Sequence, residues 1–282
     1  MPFTLIQGTF HVRGYGPDGD SLRFEAKNKA NWGKLSGPSV KLNGRKHAQL
    51  RFEAIDALET HFTAGRGVQT HQPEELANAA TDYVLEAVGI RDVEWGPTHG
   101  RVTSAKDGTA GYILTRAAER FRRPIAFVFG GTTNQADGSS VFLDVPLLTQ
   151  SINYRLADAG LVHPTYYKGL FPDLRGAITE AVLRAWWADR GIWPFDWTEG
   201  VPVPNLAALE QEYIVMPKLF RRLASHLARG GAIRDFKQRL EQNPEPVLRI
   251  STGHITSFDT FIRTQDNTVK LTAYPEDLVF LS

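Results

Sequence analysis

The sequence predicts an α+β fold with antiparallel strands, on three observations. Residues 20–26 (DSLRFEA) and 50–54 (LRFEA) alternate apolar and polar side chains with the period of a half-buried strand. Residues 72–90 instead place Leu76, Ala80, Tyr83, Val84, Ala87 and Val88 on one face at helical spacing. The elements then read β-β-β-α-β-β-α-α over residues 1–200, unlike the strand–helix alternation of a parallel sheet.

The first strand runs from Phe3 through FTLIQGTFHVRGYG and meets a turn at Pro17, Asp18 and Gly19, with DSLRFEA following. Residues 27–46 are polar and rich in Gly, Lys and Asn, as a long loop or extra hairpin is. The helix over 72–90 has Pro73 and Glu74 in its first turn and Gly89 as its stop. Short β segments follow at 93–95 (VEW), 112–114 (YIL) and 125–129 (IAFVF), with a long loop over 96–116. Asp144 is the expected cap of a second helix reaching about Ala159 and ended by Gly160; Asp173 is the expected cap of a third, ended by Gly191. TEGVPVPN at 198–205 reads as a linker. The expected division is therefore 1–200 and an accessory region, 201–282, with helices over 206–242 and a hairpin turning at Gln265, Asp266 and Asn267.

Composition excludes several chemistries. The 282 residues include no cysteine, which removes disulfides, thiolate metal sites and a cysteine nucleophile. The eight histidines are scattered, with no pair at ligand spacing. The first residues lack a basic stretch followed by an apolar one, and no apolar run approaches the roughly 18 residues of a membrane span. A soluble, cytoplasmic protein with no membrane partner is expected. At a net charge of +1, attraction for phosphate has to come from local clusters of cations.

The stretch LRFEAIDALET (50–60) poses a question, because it carries Arg51 in a strand and then Asp56 and Glu59 three residues apart. Two like charges about 4 Å apart cost roughly 4 kcal/mol at an effective dielectric near 20. Either the carboxylates point apart into water or a cation holds them together. Asp18-Gly19-Asp20-Ser21 and Glu119-Arg120-Phe121-Arg122-Arg123 complete a set suited to phosphodiester cleavage. Such cleavage needs carboxylates for a hard cation, one to orient or deprotonate water, and arginines for phosphate. Asp20 and Asp56, then Glu59, then Arg51 and Arg123 match that need.

These residues resemble the staphylococcal nuclease (thermonuclease) family, whose pattern is D-G-D-[ST], R-x-x-x-x-D-x-P-E, then G-R before a strand. Here the chain reads DGDS at 18–21, RFEAIDALE at 51–59 and RRPIAFVF at 122–129. Gly160-Leu161 through Gly191-Ile192-Trp193 follows the family's later helices, so the resemblance covers about 8–197. It implies an OB-like five-stranded antiparallel β-barrel with three packed helices, to which 201–282 adds a small α+β region. It implies a calcium-dependent hydrolase of DNA or RNA that leaves 3′-phosphates. Asp20, Asp56 and the Ala57 carbonyl would hold calcium and Glu59 would be the base. Arg51 and Arg123 would grip the scissile phosphate, and Arg120 and Tyr166 would contact a flanking nucleotide. The chain departs from the pattern at Leu58, where the family has proline, and at Arg122, where it has a small residue.

Each piece also has a plainer reading. DGDS can be turn chemistry, Arg51 a salt-bridge partner and the arginine run a solvated surface. A non-catalytic nucleic-acid-binding or scaffold module of the same fold is therefore the alternative. Lys218, Arg221, Arg222 and Arg229 flank Leu219, Leu223 and Leu227 on an amphipathic helix, read as a solvated face or a nucleic-acid contact. Residues 201–282 are the expected route to oligomerisation, a regulatory partner, or control of access to the site.

Overall fold

A computed structural model describes residues 2–97 and 100–281, so positions 98 and 99 of the expected 96–116 loop lie outside the described residues. The fold is mixed α+β. It divides into two compact units, one of Met1–Glu53 with Ala79–Leu156 and the other of Ala54–Asn78 with Ala157–Ser282. The boundary expected near 200 coincides with none of the three crossings between units, because 157–200 belongs to the same unit as 201–282.

The first unit is built on a nearly closed, barrel-like sheet. Its strands are β1 (Phe3–His11), β2 (Arg23–Ala26), β3 (Ala48–Gln49), β4 (Arg51–Phe52), β5 (Thr109–Ala118) and β6 (Pro124–Gly130). They lie in the order β3-β2-β1-β5-β6-β4, with Ser140–Val141 pairing onto β1. β6 and β4 pair in parallel, Arg51 opposite Ile125, while the other neighbours on this path are antiparallel. The expected five-stranded antiparallel sheet is thus corrected to a six-strand path containing one parallel pair. Chain continuity brings the edges round: Leu50 alone separates β3 from β4, so one extended segment pairs with β2 on one side and β6 on the other. Phe10, Phe24, Ala48, Leu50, Phe52, Ile113 and Phe127 are buried. Gly111 permits close packing, since a Cβ there would come within 2.1 Å of the Phe10 ring.

Other elements of this unit refine the expectations. Helix α1 (Glu74–Ala87), which crosses between the units, lies within the predicted 72–90 span and stops before Gly89 at φ 80°. The expected 96–116 loop instead contributes Val102–Lys106, paired with Arg91–Trp95 as a hairpin, and the start of β5. The helix expected from Asp144 to Ala159 is two helices. The Asp144 carboxylate accepts from the Leu147 amide (2.9 Å) to cap Val145–Leu148, and α2 (Ile152–Asp158) comes after it. Ser151 marks the break, and its hydroxyl donates back to the Leu148 carbonyl (2.7 Å).

In the second unit α3 (Pro172–Trp187) starts at proline, with Phe171 rather than Asp173 in the cap position. Its core packs Leu219, Phe220 and Leu223 of α4 (Pro217–Leu227) with residues including Val201, Phe236, Val247, Phe258 and Phe280. Leu58, Ala77, Ile192 and Ile214 form a smaller cluster, so the residue at the family's proline position is fully buried. Ile55–Ala57 pairs antiparallel with Val162–Pro164, and Tyr166–Tyr167 runs parallel to Leu278–Phe280. The hairpin Ile262–Gln265 and Thr268–Leu271 turns at Asp266 and Asn267 as the sequence predicts. No helix among the described residues is long and apolar enough to cross a membrane.

LRFEAIDALET therefore serves both units. It breaks at Ala54, whose φ of 72° is left-handed and costs a residue with a Cβ roughly 1–2 kcal/mol.

Candidate functional site

In the first unit, backbone pairing gathers Asp20, Arg51 and Arg123. The Phe52 amide donates to the Asp20 carbonyl (2.9 Å), tying the DGDS turn to β4. Arg51 lies opposite Ile125, and Arg123 immediately precedes β6. Turn chemistry is present as well: the Asp18 carboxylate accepts from the Gly19 amide (2.9 Å).

The loop entering β6 is tightly specified. Glu119 Oε1 accepts from Arg123 Nε (3.0 Å) and from the Arg123 amide (3.2 Å). Arg122 has φ 69°, a region that glycine enters without strain and other residues seldom do. The arginine here is steadied by Ser39, whose carbonyl and hydroxyl accept from its guanidinium at 2.8 and 2.9 Å. Phe121, not singled out by the sequence, is 60% exposed at the tip of this loop. The guanidinium carbons of Arg120 and Arg123 lie 4.8 and 5.9 Å from its ring centroid.

In the second unit the carboxylate pair has found its cation, and the cation is an arginine. Asp56 occupies the strand paired with Val162–Pro164 and is 2% exposed. Arg221 of α4 donates from Nη1 to Asp56 Oδ1 (3.1 Å) and from Nη2 to Asp56 Oδ2 (2.7 Å), and Nη1 also donates to Glu59 Oε1. Burial opposes the charge on Arg221, but Asp56 and Glu59 outweigh it and hold the guanidinium well above its ordinary pKa. Gln72 braces the arrangement: its side-chain oxygen accepts from the Glu59 amide (3.2 Å) and its Nε2 donates to the Val215 carbonyl (2.8 Å), just before α4.

The basic face of α4 is thus largely neutralised from within. Lys218 Nζ meets Glu245 (2.8 Å) and the Tyr167 hydroxyl (2.9 Å), and Arg222 pairs with Glu245. Its buried apolar residues made the helix legible in the sequence, but the long-range acidic partners of its cations did not show there. The solvated face expected for Lys218, Arg221 and Arg222 is corrected to a set of internal ion pairs.

One other expected site residue sits differently from its assigned role. Tyr166 is fully buried, its hydroxyl hydrogen-bonded to Thr179 Oγ1 (2.7 Å), and burial pushes its pKa strongly upward. It is a core residue and cannot contact a nucleotide in this arrangement. Ala57 is buried in the strand register opposite Val162.

No family model matches the chain, and no curated protein does either. The likeness to the thermonuclease family therefore rests on the motifs and on the residues around them.

Proposed function

We propose that this protein is a divalent-cation-dependent phosphodiesterase acting on DNA or RNA, with an OB-like barrel as its platform. One observation carries the reading: oxygens of Asp56 and Glu59 converge on the same positively charged nitrogen, Arg221 Nη1. Carboxylates aimed at a common point form a preorganised cation site, and their hard oxygens fit calcium. In chemistry the donors suit the ion; in position they hold a guanidinium.

In this reading Asp56 and the Ala57 carbonyl would hold the cation. A bound cation there supplies Lewis-acid polarisation of a phosphate oxygen. Glu59 orients water and takes its proton for in-line attack; the P–O5′ bond breaks, the 5′-oxygen takes a proton from solvent to leave as a hydroxyl, and the product keeps a 3′-phosphate. Arg51 and Arg123 hold phosphate oxygens and stabilise the charge that grows on them. Phe121, exposed and flanked by Arg120 and Arg123, offers a nucleobase a stacking face beside those phosphate-binding groups.

Arg221 makes the site self-inhibited. While its guanidinium spans Asp56 and Glu59, both carboxylates are engaged, so a divalent cation has to compete for them. The bidentate Arg221–Asp56 pair also favours a second reading, a non-catalytic binding module in which this ion cluster is structural.

The deciding experiment incubates the full chain and its Arg221→Ala variant with labelled single-stranded DNA, duplex DNA and RNA, in calcium, magnesium or EDTA. The phosphodiesterase reading expects cation-dependent cleavage ending in 3′-phosphates, faster at low calcium in the variant. Binding without cleavage by both folded proteins in every metal establishes the module instead.

A further inference from the structure

Two of the histidines scattered in sequence, His11 and His47, meet on the outer face of the first unit's sheet. β3, β2 and β1 are neighbours, with Phe24 opposite both Phe10 and Ala48 and Thr9 opposite Glu25. Phe10, Phe24 and Ala48 point inward and are fully buried. Alternation sends Thr9, His11, Glu25 and His47 to the other face. There His11 Nε2 lies 3.9 Å and His47 Nε2 3.8 Å from one and the same oxygen, Glu25 Oε2. The two imidazoles stack, centroids 4.1 Å apart.

The far side of each ring faces an oxygen suited to orient it. His47 Nδ1 is 3.2 Å from the Tyr15 hydroxyl, which itself accepts from Asn43 Nδ2 (2.8 Å). His11 Nδ1 is 4.0 Å from Asp107 Oδ2, an oxygen fixed by the amides of Val12 and Arg13, each 2.9 Å away. Histidines that ligate metals characteristically present one nitrogen to the ion and the other to such a partner.

We propose that His11, His47 and Glu25 form a binding site for one zinc-class divalent ion. Two imidazole nitrogens and a carboxylate oxygen are a zinc donor set with a fourth position open, and imidazole favours zinc over calcium or magnesium. Bonds of about 2.0–2.1 Å at tetrahedral angles place ligand atoms ~3.3 Å apart, so the nitrogen–oxygen separations need to close by about half an ångström. The ion selects the tautomer in which each Nε2 carries the free lone pair; His47 Nδ1–H then donates to Tyr15, and His11 Nε2 exchanges its contact with Thr9 Oγ1 (2.8 Å) for the metal. Lys29 pairs with Glu25 Oε1 (3.2 Å), leaving Oε2 for the ion. Thr9 and Glu25 also line a surface groove with Gln7, Lys27 and Thr132, which gives the ion a way in.

The test titrates chelator-stripped full chain with zinc chloride by calorimetry and with cobalt(II) by visible absorption. One saturable equivalent is expected in the wild type and equally in Asp56→Asn, with cobalt bands of four- or five-coordinate nitrogen and oxygen ligation. Glu25→Gln and His47→Asn, each checked for native circular dichroism, should weaken binding more than about 10-fold, and Tyr15→Phe should weaken it about 10-fold through loss of orientation. Absence of a saturable equivalent, or one that survives in folded Glu25→Gln and His47→Asn unchanged, overturns the assignment.

Discussion

Arg221 and Asp56 form a two-point ion pair, Nη1 to Oδ1 at 3.1 Å and Nη2 to Oδ2 at 2.7 Å. The fork fixes the plane of the guanidinium as well as its charge, a constraint that lysine cannot reproduce. Because Asp56 is almost wholly buried, its stability depends on having a positive partner of some kind.

Arg221→Ala should therefore destabilise the protein in EDTA by about 3–5 kcal/mol, the usual consequence of leaving one member of a buried pair behind. Calcium should restore much of that loss in the variant while scarcely changing the wild type. Thermal melts with and without calcium read both effects. A variant indifferent to calcium would mean that Asp56 and Glu59 are not a cation site.

Arg123 offers a separation of activity from stability. Its ion pair with Glu119 keeps the arginine partly in water, where such pairs contribute about 0–1 kcal/mol. Arg123→Ala should melt within a few degrees of wild type while phosphodiester turnover falls about 100-fold or more. Equal turnover in the two proteins removes Arg123 from the mechanism.

Tyr166→Phe should do the reverse. It deletes a hydroxyl bonded to Thr179 in the core, costing about 1 kcal/mol. The expected readout is a melting point a few degrees lower with KM for nucleic acid unchanged. A large change in KM alone would return Tyr166 to the substrate surface.

The paired histidines set an acid limit. His11 and His47 are both lowered below their ordinary value of 6.5 by burial, so below that pH the unfolded chain binds protons more readily than the native one. Stability should be insensitive to these groups above about pH 6.5 and decline as the pH falls from there toward their native values. Urea midpoints of the metal-free protein between pH 8 and 5 measure the slope. Replacing both histidines with asparagine should flatten it.

A chain ended near residue 200 should fail to fold its second unit. That cut removes α4, the strand Leu278–Phe280 that pairs with Tyr166–Tyr167, and most of the apolar cluster around Phe220 and Phe236. Loss of near-ultraviolet dichroism and rapid proteolysis after Leu156 are expected. A cooperative melt like that of the full chain would show that 157–200 is held by something else.

Much of the fold was legible because local patterns agreed with it. The spacing in 72–90 marked α1, and the Asp266-Asn267 turn marked its hairpin. What escaped was set by distant contacts. Nothing near TEGVPVPN reveals that Leu58 and Ala77 share a cluster with Ile192 and Ile214, so the linker-like composition suggested a boundary that the packing does not respect. The carboxylate pair was legible as a demand for positive charge, but Arg221 satisfies it across 162 residues from Glu59. His11 and His47 likewise become neighbours only through strand order, which no local spacing encodes.

The interleaving of the two units has a consequence for synthesis. Residues 54–78 leave the ribosome between the two halves of the first unit, yet they belong with 157–282. As the chain grows, the first unit can close by residue 156 around an unfinished loop, since the entropy of closing a loop rises only slowly with its length. That loop carries Leu58, Ala64 and Ala77 with no core to enter, and Asp56 with no guanidinium, until α4 emerges. Until then these apolar groups are open to wrong partners, so the nascent chain should depend on holdase protection most strongly between the completion of residue 156 and the arrival of α4.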